Sequence, residues 1–193
     1  MQPLTIILLC LAGYLSGSLL FAPWVCRVLN APPPHLYGSR NPGTTNVYRI
    51  AGPGPALLTL LGDALKGYLP VWLAQAVGAP PMVQALVALC AITGHMLPVF
   101  SAFRGGKGVA TTLGAGLALA PATMLAVALT WLIIARRTRI SSLASVVTAV
   151  VAPVMAIWLN TDQLPTFIVI ALMILIRHRD NLIRLTRGQE RGL

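Results

Sequence analysis

Groups that donate to anions crowd four short stretches of this sequence. "GSRNPGTTN" (residues 38–46), followed by Val47, Tyr48 and Arg49, supplies Ser39, Asn41, Thr44, Thr45 and Asn46 as hydroxyls and amides. Gly38 and Gly43 allow tight turns between them. "GDALKG" (62–67) places Asp63 and Lys66 on one helical face inside an apolar run, where charge is costly. "GHMLPVFSAFRGGKGVATT" (94–112) carries His95, Arg104, Gly105, Gly106, Lys107, Gly108 and Thr111. The fourth set joins "RRTRISS" (136–142) with "RHRDNLIRLTRGQE" (177–190). In it Ser141 and Ser142 begin a helix, and His178 and Asn181 share a helical face that Arg184 continues. Against all these donors the chain has only 4 Asp and Glu. That balance suits neutralising phosphate, and it argues against carboxylate-pair chemistry and metal-assisted hydrolysis.

The third stretch invites comparison with a nucleotide P-loop. A Walker A motif needs Gly-x-x-x-x-Gly-Lys-[Ser/Thr] between a strand and a helix. Gly106 and Lys107 match, but Ser101 stands at the first glycine position and Gly108 follows the lysine. The strand and the acidic partner for magnesium are missing too. The physics of the motif survives: small residues let backbone N–H groups converge at a helix start, and Arg104 and Lys107 add full charges.

These stretches must be held by membrane helices. Of 193 residues, 56% are hydrophobic and 9% charged, where a soluble domain has about a quarter charged. Apolar runs predict about seven transmembrane segments at roughly 3–28, 54–77, 82–99, 108–120, 121–136, 142–159 and 164–177; the fourth and fifth are short and joined at Pro121, which leaves a five- or six-span count open. The whole chain, 1–193, reads as one all-α transmembrane domain. Arg27, Arg40 and Arg49, then Arg104 and Lys107, then Arg136, Arg137 and Arg139, then the arginine-rich tail fall on alternate connections. "GAPP", Pro121 and "NTDQLP" (160–165), on the other connections, hold no Lys or Arg. The positive-inside rule puts the N-terminus outside and the tail in the cytoplasm. The same rule assigns the net charge of +10 to membrane topology instead of nucleic acid. The first run has no basic flank and is too long for a signal core, so it is expected to be retained. Cys10, Cys26 and Cys90 have no metal spacing and read as packed thiols. Gly13 and Gly17 read as a small-xxx-small packing pair.

The motifs, taken together and in order, resemble the bacterial acyl-phosphate-dependent glycerol-3-phosphate acyltransferases, the PlsY family. The resemblance runs through "GSRNPGTTNVYR", "GDALKG", "GHMLPVFSAFRGGKGVATTLG", "RRTRISSLAS" and "HRDNLIRLTRGQE". Thr44 departs from it, at a position where the family usually has Ala. It implies an enzyme of seven helices in the bacterial inner membrane, with its site facing the cytoplasm. The reaction implied moves a fatty acyl group from acyl phosphate to the 1-hydroxyl of sn-glycerol 3-phosphate. The products are lysophosphatidic acid and phosphate, the first step of phospholipid synthesis. The expected partners are these two substrates and membrane lipid, with no cofactor and no metal.

Other glycerolipid acyltransferases use His-x-x-x-x-Asp. The fifth residue after His35 is Arg40, after His95 Phe100, and after His178 Ile183, so no such dyad exists. Phosphate is a good leaving group, which removes the need for much acid help. The mechanism expected is therefore substrate-assisted, a substrate phosphate oxygen taking the hydroxyl proton; the rival has His178 as general base. Ser39, Lys107, His178 and Asn181 are the catalytic candidates. Arg104, Gly105, Gly106, Lys107 and Gly108 are expected to cradle acyl phosphate, with His95 and Thr111 from the same stretch among the binding residues. Ser39, Asn41, Thr45, Asn46, Arg49 and Lys66 are expected to line the adjoining site. Ser141, Ser142, His178 and Asn181 are expected to help hold glycerol 3-phosphate. Gly114 and Gly116 are open to two readings, room for the acyl chain or simple packing.

Overall fold

The computed structural model describes residues 1–159 and 161–193, all of the chain except Asn160 in the "NTDQLP" connection. The described residues are helices and turns, with no strand among them. They divide into two compact units, residues 1–118 and 119–193.

The first unit contains α1 (Pro3–Gly17), α2 (Phe21–Val28), α3 (Thr44–Ala51), α4 (Pro53–Ala76), α5 (Pro81–Met96), a 3-10 turn (Val99–Ser101), and α6 (Val109–Leu119) apart from its last residue. The second contains α7 (Pro121–Thr138), α8 (Ser141–Trp158), α9 (Leu164–Arg177) and α10 (Arg179–Thr186). Prolines open α1, α4, α5, α7 and α9 at the first or second helical position, where a missing N–H costs nothing.

Each unit turns leucine outward and small or polar residues inward, the reverse of a soluble protein. On α4, Leu58, Leu61, Leu65, Leu69 and Trp72 are exposed at helical spacing. The opposite face buries Thr59, Asp63, Lys66, Val71 and Ala74. On α8, Val150, Val154 and Ile157 face out while Ser145, Thr148, Ala152 and Ala156 are buried. Lipid supplies no hydrophobic force between helices, so close backbone approach and hydrogen bonds must hold them. Gly13 and Gly17 of α1 provide that approach to α5: a Cβ on Gly13 would stand 2.9 Å from the Val87 carbonyl oxygen, and one on Gly17 would strike that of Ala91. On α6, a Cβ on Gly114 would strike the Ala64 carbonyl of α4. Packing, then, decides between the two readings of Gly114. The first unit also carries an apolar groove of about 210 Å³ lined by Phe21, Trp24, Val25, Val28, Leu29 and Leu58.

The segment 3–28, expected as one span, is two helices meeting at 41°. The break leaves carbonyls without helical partners, and unpaired polar backbone is not tolerated at membrane depth. Lys66 Nζ donates to the Leu19 carbonyl there at 2.6 Å. Pro70, inside α4, lacks the N–H that would bond the Lys66 carbonyl, and the Ser16 hydroxyl donates to that oxygen at 3.0 Å. By length and composition, α4, Pro81–Ser101 and α8 can each cross a membrane, and the bent pair makes a fourth. α6 and α9 are apolar but shorter; the 11 residues of α6 span only about 17 Å of a core ~30 Å thick.

Candidate functional site

In the first unit, the 38–46 stretch wraps the start of α3. Gly38 (φ +64°) and Arg40 (φ +59°) take left-handed backbone to turn the chain. Asn46, in the first turn of α3, is buried and clamps the preceding loop. Its Oδ1 accepts from the Ser39 N–H at 2.7 Å, and its Nδ2 donates to the Pro34 and Tyr37 carbonyls at 2.9 and 3.1 Å. Asn46, expected to line the site, has its amide nitrogen engaged within the loop and shapes it. A Cβ on Gly38 would collide with its Oδ1. Ser39 is exposed beside this clamp, Asn41 is half-buried against Gly43, and Thr45 and Arg49 lie half-buried one turn apart on α3.

The glycine loop descends from the end of α5. Pro98 ends that helix, and the Phe103 N–H donates to the Pro98 carbonyl at 2.9 Å. Ala102 and Phe103 follow at φ +48° and +60°, strained values for side chains with a Cβ. The Gly106 N–H then bonds the His95 carbonyl at 3.1 Å. A Cβ on Gly105 would strike that carbonyl oxygen, and one on Gly106 would strike the imidazole at Nε2. Gly108 is at φ +82°, and a Cβ there would stand 2.6 Å from the Met96 methyl. Thus Gly105, Gly106 and Gly108 are required by contact with the last turn of α5, a need the sequence reading assigned to the anion alone. His95 is buried beneath the loop, as its seat. Arg104 is exposed and Lys107 half-buried on it, just before α6, whose first N–H groups lie outside the helical ladder. Thr111, in the first turn of α6, is fully buried and its carbonyl packs on Gly67.

Lys66 was expected in the site. It is buried, with Nζ 2.7 Å from Asp63 Oδ1 as well as on the Leu19 carbonyl. Its charge therefore serves the helix packing and not an open surface. The pair sits in a continuous α4, with no helix break at "GDALKG".

In the second unit, Ser141 and Ser142 begin α8 and are buried; the Ser141 carbonyl accepts from the Ser145 hydroxyl at 2.9 Å. His178 is buried at the junction of α9 and α10, with Nδ1 2.8 Å from the Ile174 carbonyl. A carbonyl only accepts, so Nδ1 carries the hydrogen. Asn181 Nδ2 donates to Glu190 Oε1 at 2.8 Å, and Arg184 Nε to Glu190 Oε2 at 2.8 Å. Burial pushes the Glu190 carboxyl up, but the Asn181 and Arg184 hydrogen bonds, the nearby Ser142 hydroxyl and the Arg184 charge outweigh it and hold the group below the usual carboxylate range. Among the described residues no three His, Cys, Asp or Glu side chains gather as metal ligands.

Residues 7–188 match the family described as glycerol-3-phosphate acyltransferase. The glycerol-3-phosphate acyltransferase of Hahella chejuensis is 50% identical over 192 residues, 100% of this chain and 99% of that one. The chain belongs to the glycerol-3-phosphate acyltransferase family. The relative from Halorhodospira halophila is 46% identical, over 95% of this chain and 94% of its own. The crystal structure of PlsY (YgiH), an integral membrane glycerol 3-phosphate acyltransferase, in its glycerol 3-phosphate form, is similar with a TM-score of 0.91 at 35% identity, covering 98% of this chain and 96% of that one. Its lysophosphatidic acid form gives 0.90 at 34% identity, covering 98% and 95%.

Within this family fold, sequence reasoning missed two residues. Glu190 stood in the quoted tail without a role, although it is the one carboxylate following Arg184. Asp63 was placed on one helical face with Lys66, and its approach to His95 was not foreseen. Nothing in the spacing links residue 63 to residue 95.

Proposed function

We propose that this chain transfers a fatty acyl group from acyl phosphate to the 1-hydroxyl of sn-glycerol 3-phosphate, releasing phosphate and 1-acylglycerol 3-phosphate. The observation that carries the reading is its likeness, over nearly the whole chain, to one enzyme in two forms. The two molecules that name those forms, glycerol 3-phosphate and lysophosphatidic acid, differ by one acyl group.

The choice of acyl phosphate as donor is what the resemblance to the PlsY family implies. The absence of a His-x-x-x-x-Asp dyad agrees with it, because a donor with a good leaving group needs little acid help. In the step proposed, the glycerol hydroxyl oxygen bonds to the acyl carbon and the bond from that carbon to the phosphate oxygen breaks. The hydroxyl proton passes to a phosphate oxygen, and the leaving group departs as inorganic phosphate. Arg104 and Lys107, with the N–H groups at the start of α6, bind and neutralise the donor phosphate. Ser39, Asn41, Thr45 and Arg49 orient substrate around the start of α3. Ser141, Ser142, His178 and Asn181 take glycerol 3-phosphate. His178 supports this division: its Nδ1 is backed by a backbone carbonyl, not a carboxylate, so a binding role suits it better than that of a strong base.

The reading includes seven spans in the bacterial inner membrane and a cytoplasmic site, supported by the alternation of arginine-rich and arginine-free connections. The test is direct. Purified protein given palmitoyl phosphate and glycerol 3-phosphate should release phosphate and form lysophosphatidic acid. Turnover with palmitoyl-CoA but not palmitoyl phosphate would overturn the donor assignment.

A further inference from the structure

The buried charges of the first unit form a chain that ends under the glycine loop. Asp63 and His95 come from α4 and α5, and both are almost wholly buried. Asp63 Oδ1 lies 2.7 Å from Lys66 Nζ and 3.7 Å from His95 Nδ1. Lys66 is in turn anchored on the Leu19 carbonyl at the break between α1 and α2. The other side of the His95 ring, at Nε2, faces the Gly106 backbone, and the His95 carbonyl takes the Gly106 N–H.

An ion pair held only for stability does not account for this placement. Buried pairs are weak stabilisers, often matched or bettered by apolar side chains of similar volume. Nor does an ion pair with Lys66 require the same carboxylate oxygen to face an imidazole. At 3.7 Å that oxygen stands outside hydrogen-bond reach of the ring but close enough to attract it by charge, and the ring and its carbonyl bound the space in which Gly105 and Gly106 rest.

We propose that Asp63 is a positioning residue for the reaction, acting through His95 to set the geometry of the 104–108 loop. This rests on the reading of that loop as the seat of a substrate phosphate. Asp63 itself touches no substrate. Its role is to hold the backbone of Gly105 and Gly106, and with it Lys107 and the N–H groups at the start of α6, where they meet a phosphate; a misplacement of about 1 Å in such a site costs on the order of a hundredfold in rate.

The test compares Asp63→Asn, the double variant Asp63→Leu/Lys66→Met and Lys107→Ala, in steady-state assays with palmitoyl phosphate and glycerol 3-phosphate. Lys107→Ala identifies which substrate the loop serves. The expected result is that both Asp63 variants raise the KM for palmitoyl phosphate about tenfold or more, while the KM for glycerol 3-phosphate stays within about twofold. The double variant leaves no buried charge unpaired; loss of the Lys66 donor to the Leu19 carbonyl lowers its melting temperature, but it should remain folded at the assay temperature. Loss of packing alone would not separate the two KM values. If Lys107→Ala shifts only the glycerol 3-phosphate KM, the assignment of the loop to acyl phosphate falls. The Asp63 proposal then stands only if its variants shift that same KM. Wild-type KM values in a folded double variant overturn it, and so does failure of both Asp63 variants to fold.

Discussion

Replacing Glu190 with Gln keeps the shape of the side chain and removes its charge. In the wild type, one carboxylate oxygen accepts from Asn181 Nδ2 and the other from Arg184 Nε, each at 2.8 Å, and the side chain is only 5% exposed. A glutamine amide has one oxygen, so its NH₂ must face one of the two donors. Hydrogen bonds to a charged group are worth ~1.5–3 kcal/mol each. Arg184 is 41% exposed, so its share lies at the low end of this range. The expected cost is about 2–3 kcal/mol, which for a chain of this size lowers the melting temperature by roughly 5–10 °C. The pH dependence gives a sharper check. The folded state holds this carboxyl below its usual range, so its stabilisation is present above the unfolded value of about 4.3 and fades as pH falls through the folded one. Thermal unfolding in detergent from pH 7 down to pH 3 should show the gap between wild type and Glu190→Gln closing in acid. A gap of under 1 °C at pH 7, or one that persists unchanged at pH 3, refutes the reasoning.

Other consequences are measured more simply. Gly106→Ala places a methyl on the His95 ring; overpacking of this kind costs ~1–3 kcal/mol, and the loop shift should lower kcat/KM for acyl phosphate by about tenfold or more. His178→Ala should raise the KM for glycerol 3-phosphate more than it lowers kcat; a collapse of kcat with unchanged substrate affinities would make His178 the general base. In a background without native cysteines, Arg191→Cys should resist a membrane-impermeant maleimide in intact cells while Gln2→Cys is labelled. Gly17→Leu should disrupt the contact of α1 with α5, seen as a loss of folded protein after extraction.

How much of this was legible in the sequence depends on which interactions are local. The ends of α4, α7, α8 and α9 fall within two residues of the expected spans because apolar runs and opening prolines determine them. The bend at residues 18–20 was hidden because its unpaired carbonyl is met by Lys66, far away in the chain. No composition rule within 3–28 reports that partner. The glycines of the 105–108 loop were read as making room for an anion, because a sequence shows small residues but not what they face. They face His95 and Met96. The clamp made by Asn46 was hidden for a related reason: a donor-rich loop must satisfy its own backbone, and its buried amide does that work. Ser39 beside Asn46 is exposed and Lys107 beside Gly106 is half-buried, and the proposed mechanism assigns both to substrate. In the two donor-rich stretches of the first unit, the buried members, Asn46 and His95, hold the backbone of the loop around them.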